Sequence, residues 1–555
     1  MKWPTATEAK RRLTSLQSWE LPKQTGALAP PDVWTNKDMD PTPLKDQTWG
    51  MWSILAYWAT DLMSLSTWQT ASAILAVGLS WREAIPIMFL GNLIVAIPIT
   101  LNGAIGSRLH VPFSVVVTSS FGYYLRYFCI ISRAILGMFW LGVQSVNGSR
   151  CVTIMLRALA PSYNDIPNHI PESAGITSQG FISYFLFWLV QLPLLLIHPT
   201  KLRPLFLVKL VAAPVAALAL LGWSVNKAGG GGEFFQQKAT VSGSTYAYLW
   251  LSCMSSVTGS WATLGVNIPD FTRYANSPNG QLIQFPAMPI IFTLCGTVGI
   301  VTTSAAHVFT GEYHWNPLEL VALWLDYGPG GRAAAFFAGF AWYVAQVGTN
   351  ITANSISAAN DLTVLFPRWI NIKRGCLVAA LVACWGLAPW KILASADTLL
   401  AFLSGYAVFL GPISGIMVSD FWLVRRGGRV DIPALYDPRG RYRYNALGAN
   451  WRAAAAFLVP VIPLLPGLAQ KVSGEDKVHI GEGLQNLYSF NWMFGFFTSI
   501  FLYTLLSLVF PAKETLVNEM VTDLEQITID SSSRASDLEE GKVSGDVDVD
   551  VKPVS

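Results

Sequence analysis

The sequence predicts an all-α polytopic membrane protein with twelve transmembrane helices, ten of them in a 5+5 inverted repeat and two following near the C-terminal end. Three observations carry that prediction. Apolar runs of about 20 residues, the length a helix needs to cross a bilayer core, recur from Trp52 to Pro511. Only 13% of the residues are charged, against roughly 25% in soluble domains. Two of the runs are broken in their middles by small and polar residues, and they lie five runs apart, the offset that two inverted repeats produce.

Taken in order, residues 1–48 are polar, mixed in charge and proline-rich, with no apolar stretch that would make a cleaved signal peptide. The twelve-helix membrane core is expected over 49–511. Its first repeat, about 51–224, holds runs near 51–79, 84–104, 128–159, 178–198 and 204–224. The piece "VPFSVVVTSSFGYY" at 111–124 has polar ends and is expected at the interface rather than across the membrane. "GGGG" at 229–232 reads as a flexible external linker. The second repeat, about 245–423, holds runs near 245–269, 285–309, 333–364, 375–390 and 396–423. Two further helices follow near 450–470 and 490–511. Residues 512–555 end in the acidic, aromatic-free "DLEEGKVSGDVDVDVKPVS", expected to be a disordered cytoplasmic tail. Its Lys513, Lys542 and Lys552 are candidate contacts for trafficking and ubiquitylation machinery; a purely solvated tail is the other reading.

Loop charge orients the set. With the N-terminus inside, one side collects Arg108, Arg126, Lys201, Arg203, Arg273, Arg368, Lys373 and Arg374, and the loop after span ten adds Arg425, Arg426, Arg429, Arg439, Arg441 and Arg443. The other side is sparse, and "PSYNDIPNHIPESAGITSQG" has no Lys or Arg at all. This is the positive-inside pattern, and it puts both termini in the cytoplasm, with the plasma membrane as the expected location. A net charge of +3 points to no nucleic-acid partner, and six cysteines in or beside apolar runs form no CxxC spacing. No cofactor is expected.

The breaks are where chemistry is expected. An unpaired backbone group in hydrocarbon costs several kcal/mol, so an unwound helix persists only where it lines a protein-enclosed cavity. Span six breaks in "SSVTGSWATLG", around Gly259, Ser260 and Trp261; span one carries Thr60, Asp61, Ser64, Ser66 and Thr67 at mid-membrane. On span three, Trp140 and Gln144 are i and i+4 and share a face. On span eight, Asn350, Asn354 and Asp361 share another. Trp140 and Trp261 offer two π faces to a flat ring. Gln144 and Asn354 each pair an acceptor with a donor, matching the N–H/C=O edge of a cyclic imide, urea or pyrimidine. With no Arg or Glu evident beside the tryptophans, an uncharged ligand is expected. Two plainer readings stay open: the amides as interhelical glue, and the tryptophans as core filling.

The stretches "GSWATLG" and "NIPDFTRYA", with "GMFWLGVQSVNG" and "GTNITANSISAANDL", resemble the nucleobase–cation symporter-1 family over about residues 36–510. "NKDMDPTPLKDQTWGMW" is similar to its fungal uracil, allantoin and uridine permease branch. The resemblance implies a LeuT-like inverted-repeat fold, alternating access and uptake of a nucleobase-like compound. Carried over position by position, it implies substrate contacts at Trp140, Gln144, Ser260, Trp261 and Asn354. It also implies a sodium position between the carbonyls of Ala59, Leu62 and Ala345 and two hydroxyls at 348 and 349. Thr349 supplies one; Gly348 stands where a serine is expected.

That missing hydroxyl turns attention to protons, with sodium the lesser expectation. Intramembrane ionisable residues are functional suspects by default, and three stand out: Asp61, Lys209 in "LFLVKLVAAPVAAL", and Asp361. A span-five lysine can set its ammonium near the vacant sodium position, and Asp361 can accept or relay the proton; a structural ion pair is the alternative. Phe402 of span ten is the expected gate. The resulting function is a proton symporter for a heterocycle such as uracil, allantoin or uric acid. A uridine, thiamine or nicotinamide-riboside permease on the same scaffold is the alternative. A channel would show charged rings or carbonyl filters, and an intramembrane enzyme would show HExxH, GxSxG or paired catalytic carboxylates; none is visible.

Overall fold

The computed structural model describes residues 15–26, 28–197, 203–230, 234–474 and 476–522. The first fourteen residues, the rest of the glycine run and the acidic tail from 523, with Lys542 and Lys552, lie outside the described residues. Among the described residues everything regular is helical, and the only β pairing is three isolated bridges.

Seven spans are continuous and apolar enough to cross a bilayer: spans two (Trp81–Leu109), three (Arg126–Leu159), five (Leu207–Lys227), seven (Gly280–Thr310), ten (Ala396–Val424), eleven (Trp451–Ser473) and twelve (Asn491–Val509). The other five depart from that pattern for visible reasons. Span one is two helices, Met51–Ala59 and Leu65–Ala76, joined by a turn; span four, Ser178–Leu194, is short. Span six is split into Gly243–Ser260, Ala262–Asn267 and Pro269–Thr272. Span eight runs Gly328–Thr349, widens into a π-helix at Asn350–Ser355, and resumes at Ile356–Leu365. Span nine, Ile372–Leu381, ends in a π turn at Val382–Gly386. Spans one, six and eight, three of those that carry the polar residues, are interrupted near mid-span; span three, with Gln144, is continuous.

Packing follows the repeat. The second half of span one lies along span seven, and the second half of span six, Ala262–Asn267 and Pro269–Thr272, lies along span two. These pairs exchange when each span number moves by five. Spans two and seven, and three and eight, pack against their own counterparts. Spans eleven and twelve pack on span ten and on each other, outside the ten-helix unit.

Two local expectations change. The 111–124 segment forms two buried turns, Phe113–Val116 and Thr118–Phe121, enclosed by protein rather than lying in the interface. Its backbone is held from outside: the Phe113 N–H donates to Asp270 at 2.8 Å, and Arg425 donates to the Ser119 carbonyl at 3.0 Å. Arg425 itself is buried against Asp420 at 2.9 Å, and with Arg126 and Arg273 it makes three of the orienting arginines buried. Asp270 and Arg273 tie down the inner end of span six, Arg273 donating to the Asp38 carbonyl at 3.0 Å.

The span-six glycine has a steric reason. A Cβ on Gly259 would sit 2.3 Å from the Leu403 carbonyl oxygen of span ten, a contact backbone atoms cannot relieve by changing rotamer. Gly259→Val is expected to destabilise the fold by roughly 1–3 kcal/mol or more. Fluorescence-detected size exclusion would register this as loss of the monodisperse peak; a wild-type profile would contradict the packing.

Candidate functional site

The two broken helices leave their ends facing each other. In span one the chain turns through 60–64, where the Ser64 N–H donates to the Asp61 carbonyl at 3.1 Å and Thr60 Oγ1 to the Tyr57 carbonyl at 2.7 Å. In span six, Trp261 adopts φ −110° and ψ 4° and ends the first helix. The Gly259 carbonyl released there accepts a hydrogen bond from Tyr406 Oη of span ten at 2.8 Å. Freed backbone groups thus find protein partners, as a break inside the membrane requires.

Between the breaks and spans two, three and eight lies a cavity of about 80 Å³. Its walls include Asp61, Ser66, Trp140, Gln144, Ser260, Trp261, Thr349 and Asn354. Trp140, Gln144, Ser260, Trp261 and Asn354, proposed from three separate stretches of sequence, therefore share one cavity. Gln144 Nε2 donates to Ser66 Oγ at 2.8 Å, while its buried Oε1 has no hydrogen-bond partner. Asn354 sits in the π-helix and donates to Asn350 Oδ1 at 2.9 Å. Asn350 in turn donates to Gln191 at 3.0 Å and Ser145 at 3.2 Å; it is a buttress behind the wall. The widened turn rotates Asn354 toward the cavity, a frequent use of π-bulges at functional sites. Ser260 Oγ donates back to the Ser256 carbonyl at 3.1 Å.

The aromatic geometry differs from a bare tryptophan pair. Trp261 lies against Phe292 of span seven, ring centroids 4.3 Å apart and tilted by 34°, and meets Trp58 edge-on at 5.7 Å. Trp140 touches Phe402 at 6.1 Å. Neither tryptophan stacks on the other. Phe292 and Trp58 pack against Trp261 and fix its pose. Phe402 lies behind Trp140, packed also on Phe139 and Tyr406, and is not part of the cavity wall. Gly148, one turn beyond Gln144, faces span four, where an added Cβ would meet the Phe187 ring at 2.0 Å.

A second cluster lies at the same break. Lys209 Nζ of span five is 2.5 Å from Asp61 Oδ1 and 3.0 Å from Thr349 Oγ1. Thr349 Oγ1 is 3.1 Å from both Asp61 Oδ1 and the Ala345 carbonyl. Lys209 is 4% exposed and Asp61 18%, so the pair is buried yet open on the Asp61 side. The ammonium thus reaches Thr349 and stands one hydroxyl away from the Ala345 carbonyl. Of the other two carbonyls, that of Ala59 accepts from the Leu62 N–H at 3.1 Å within the turn.

Asp361 does not join this cluster. It is paired with Arg133 of span three, both 1% exposed, and Arg133 also donates to the Ser357 carbonyl. Arg133 lines the cavity, which corrects the expectation that no arginine stands beside the tryptophans. It sits seven residues before Trp140, on the same helix face, and its charge is matched by Asp361.

The chain matches the family described as permease for cytosine/purines, uracil, thiamine, allantoin, over residues 41–495. It is 34% identical to the allantoin permease and 32% identical to the uracil permease of Saccharomyces cerevisiae, each comparison covering 88% of this chain and 78% of the relative. Among solved structures it is similar to Mhp1, a nucleobase–cation symporter-1 family transporter, in a closed conformation with bromovinylhydantoin bound. That likeness has TM-score 0.65 at 22% identity and covers 86% of this chain and 97% of Mhp1. To Mhp1 in an inward-facing conformation the TM-score is 0.67, at 21% identity and covering 92% and 98%. A twelve-helix fold with two matching breaks, together with relatives that are permeases and not enzymes, leads to one conclusion: this multi-pass membrane transporter belongs to the nucleobase–cation symporter-1 family.

Proposed function

We propose that this transporter is a proton symporter importing a neutral nucleobase-like heterocycle of the uracil, allantoin or uric acid kind across the plasma membrane, with both chain ends in the cytoplasm. The observation that carries the reading is the buried Gln144 Oε1, unpartnered in a cavity walled by Trp140, Trp261 and Asn354. A buried acceptor without a donor costs about 1–3 kcal/mol, and a ring N–H entering the cavity would remove that cost. Uracil carries an –NH–CO– edge, and hydantoin, the ring of the compound bound to Mhp1, carries the same group. Thiamine lacks this –NH–CO– edge and a nucleoside adds a ribose beyond what these groups address, so a free base is the simplest fit to them. A competition panel against one radiolabelled pyrimidine tests this, with free bases expected to compete and uridine and thiamine not.

Support for the coupling ion comes from Lys209. Its ammonium joins spans one, five and eight through Asp61 and Thr349. A proton loaded from outside would complete this bridge and favour the state in which substrate binds. Release to the cytoplasm would break it, a population shift driven by differential binding. Uptake is expected to rise as external pH falls and to be indifferent to replacing sodium by choline. Strict sodium dependence would refute the role given to Lys209. Lys209→Met is expected to flatten the pH profile, and an unchanged profile would refute that role as well.

A further inference from the structure

A second cavity, of about 540 Å³, opens on the arginine-rich side of the molecule, away from the transport site. Its wall brings together the end of span two (Arg108, His110), the loop before span seven (Asn279) and the turn after span ten (Arg426, Arg429). Arg108 is held in place: it donates to the Gly427 carbonyl at 2.7 Å and lies over the Trp422 ring at 4.8 Å. His110 is tied by its Nδ1, 2.9 Å from the Arg273 carbonyl. Arg426 begins a turn of three consecutive positive φ values, 49°, 78° and 136°, and both Arg426 and Arg429 are exposed. Among the described residues no carboxylate lines the cavity, and none pairs with Arg108, Arg426 or Arg429.

Three arginines share this wall and, among the described residues, no carboxylate does, so the site suits an anion; planar guanidinium binds a phosphate bidentately. The neighbouring surface says what carries that phosphate. Within six residues of the cavity wall stand Leu423 and Leu282, each 50% exposed, and Phe285 at 43%, at the membrane ends of spans ten and seven. A soluble anion has no use for these side chains, whereas acyl chains do. We propose that this cavity binds the headgroup of an anionic phospholipid of the inner leaflet, whose tails run along Leu282, Phe285 and Leu423. The lipid would join span two of the first repeat to spans seven and ten of the second.

The inference takes the arginine-rich side as cytoplasmic, as proposed above. A detergent assay is blind to orientation, so its failure would leave the orientation and the transport reading untouched. The full chain, purified in detergent, is titrated with phosphatidylserine or phosphatidylinositol 4-phosphate while the thermal midpoint is followed by intrinsic fluorescence. A saturable upward shift is expected with these lipids and not with phosphatidylcholine. R426Q/R429Q is expected to unfold at the wild-type midpoint without lipid, since both side chains are exposed. Its apparent affinity for the anionic lipid should be roughly 30-fold weaker, at about 1 kcal/mol per basic side chain near an anionic surface. An equal shift with phosphatidylcholine, or wild-type affinity in R426Q/R429Q, would overturn the proposal. So would an equal shift with inorganic phosphate alone, which would make this a free-anion site. Lipid binding that appears only after removal of residues 523–555 would assign the cavity to the acidic tail and end the lipid reading.

Discussion

Gln144→Ala is expected to abolish saturable uptake while leaving the protein at the cell surface. Two hydrogen bonds are lost at once: the one from Gln144 Nε2 to Ser66 Oγ at 2.8 Å, and the one its free Oε1 would accept from a ring N–H. Leaving polar groups unmet in a closed site costs about 1–3 kcal/mol each. A combined loss of about 2–3 kcal/mol is roughly 30- to 150-fold in affinity, enough to push uptake below detection at micromolar substrate. Asn354→Ala is expected to behave alike, with a further contribution because Asn354 Nδ2 holds Asn350 Oδ1 at 2.9 Å and through it Gln191. Confocal localisation of a fluorescent fusion separates the transport defect from a trafficking defect. Wild-type uptake kinetics in either variant would remove that residue from the site.

Much of this site was legible in sequence because the membrane makes polar residues conspicuous. Gln144, Asn354, Asp61 and Lys209 stand out because each interrupts a run in which polar groups are costly. The breaks were legible because Gly259 and Ser260 precede Trp261, where no continuous apolar helix needs them. What stayed hidden has no such contrast. Phe292 is an apolar residue in an apolar span, and Trp58 is overshadowed by Thr60 and Asp61 just after it; only the folded arrangement brings one to 4.3 Å from Trp261 and the other to 5.7 Å. Arg133 is inconspicuous for a different reason. It lies near the start of span three, where an arginine reads as an interfacial anchor, and the i, i+7 relation to Trp140 was its one local sign. The inner-side packing was equally silent: Met39 is buried, and the Thr42 N–H donates to the His110 carbonyl at 2.8 Å, although 1–48 reads as a polar extension.

Arg133 and Asp361 lead to the second large effect. Both side chains are 1% exposed, so removing one leaves the other charged and buried without its counter-ion, a change worth about 3–5 kcal/mol. Arg133→Ala and Asp361→Ala are each expected to lose most of the folded protein, seen as a collapsed size-exclusion peak and retention inside the cell. Replacing both partners by apolar groups of similar volume, Arg133→Met with Asp361→Leu, removes the desolvation cost along with the attraction and is expected to restore the folded peak. The double variant then addresses function without the confounding loss of fold. If the proton rides on Lys209 and Asp61, uptake in the double variant still rises as external pH falls, at whatever rate the altered cavity allows. A flat pH profile in a well-folded double variant would instead move the coupling step to Asp361 and reduce the Lys209–Asp61 pair to a structural tie between spans one, five and eight. A double variant that stays unfolded would mean that the Arg133 bond to the Ser357 carbonyl, or the packing of its stem, matters more to the fold than the ion pair does.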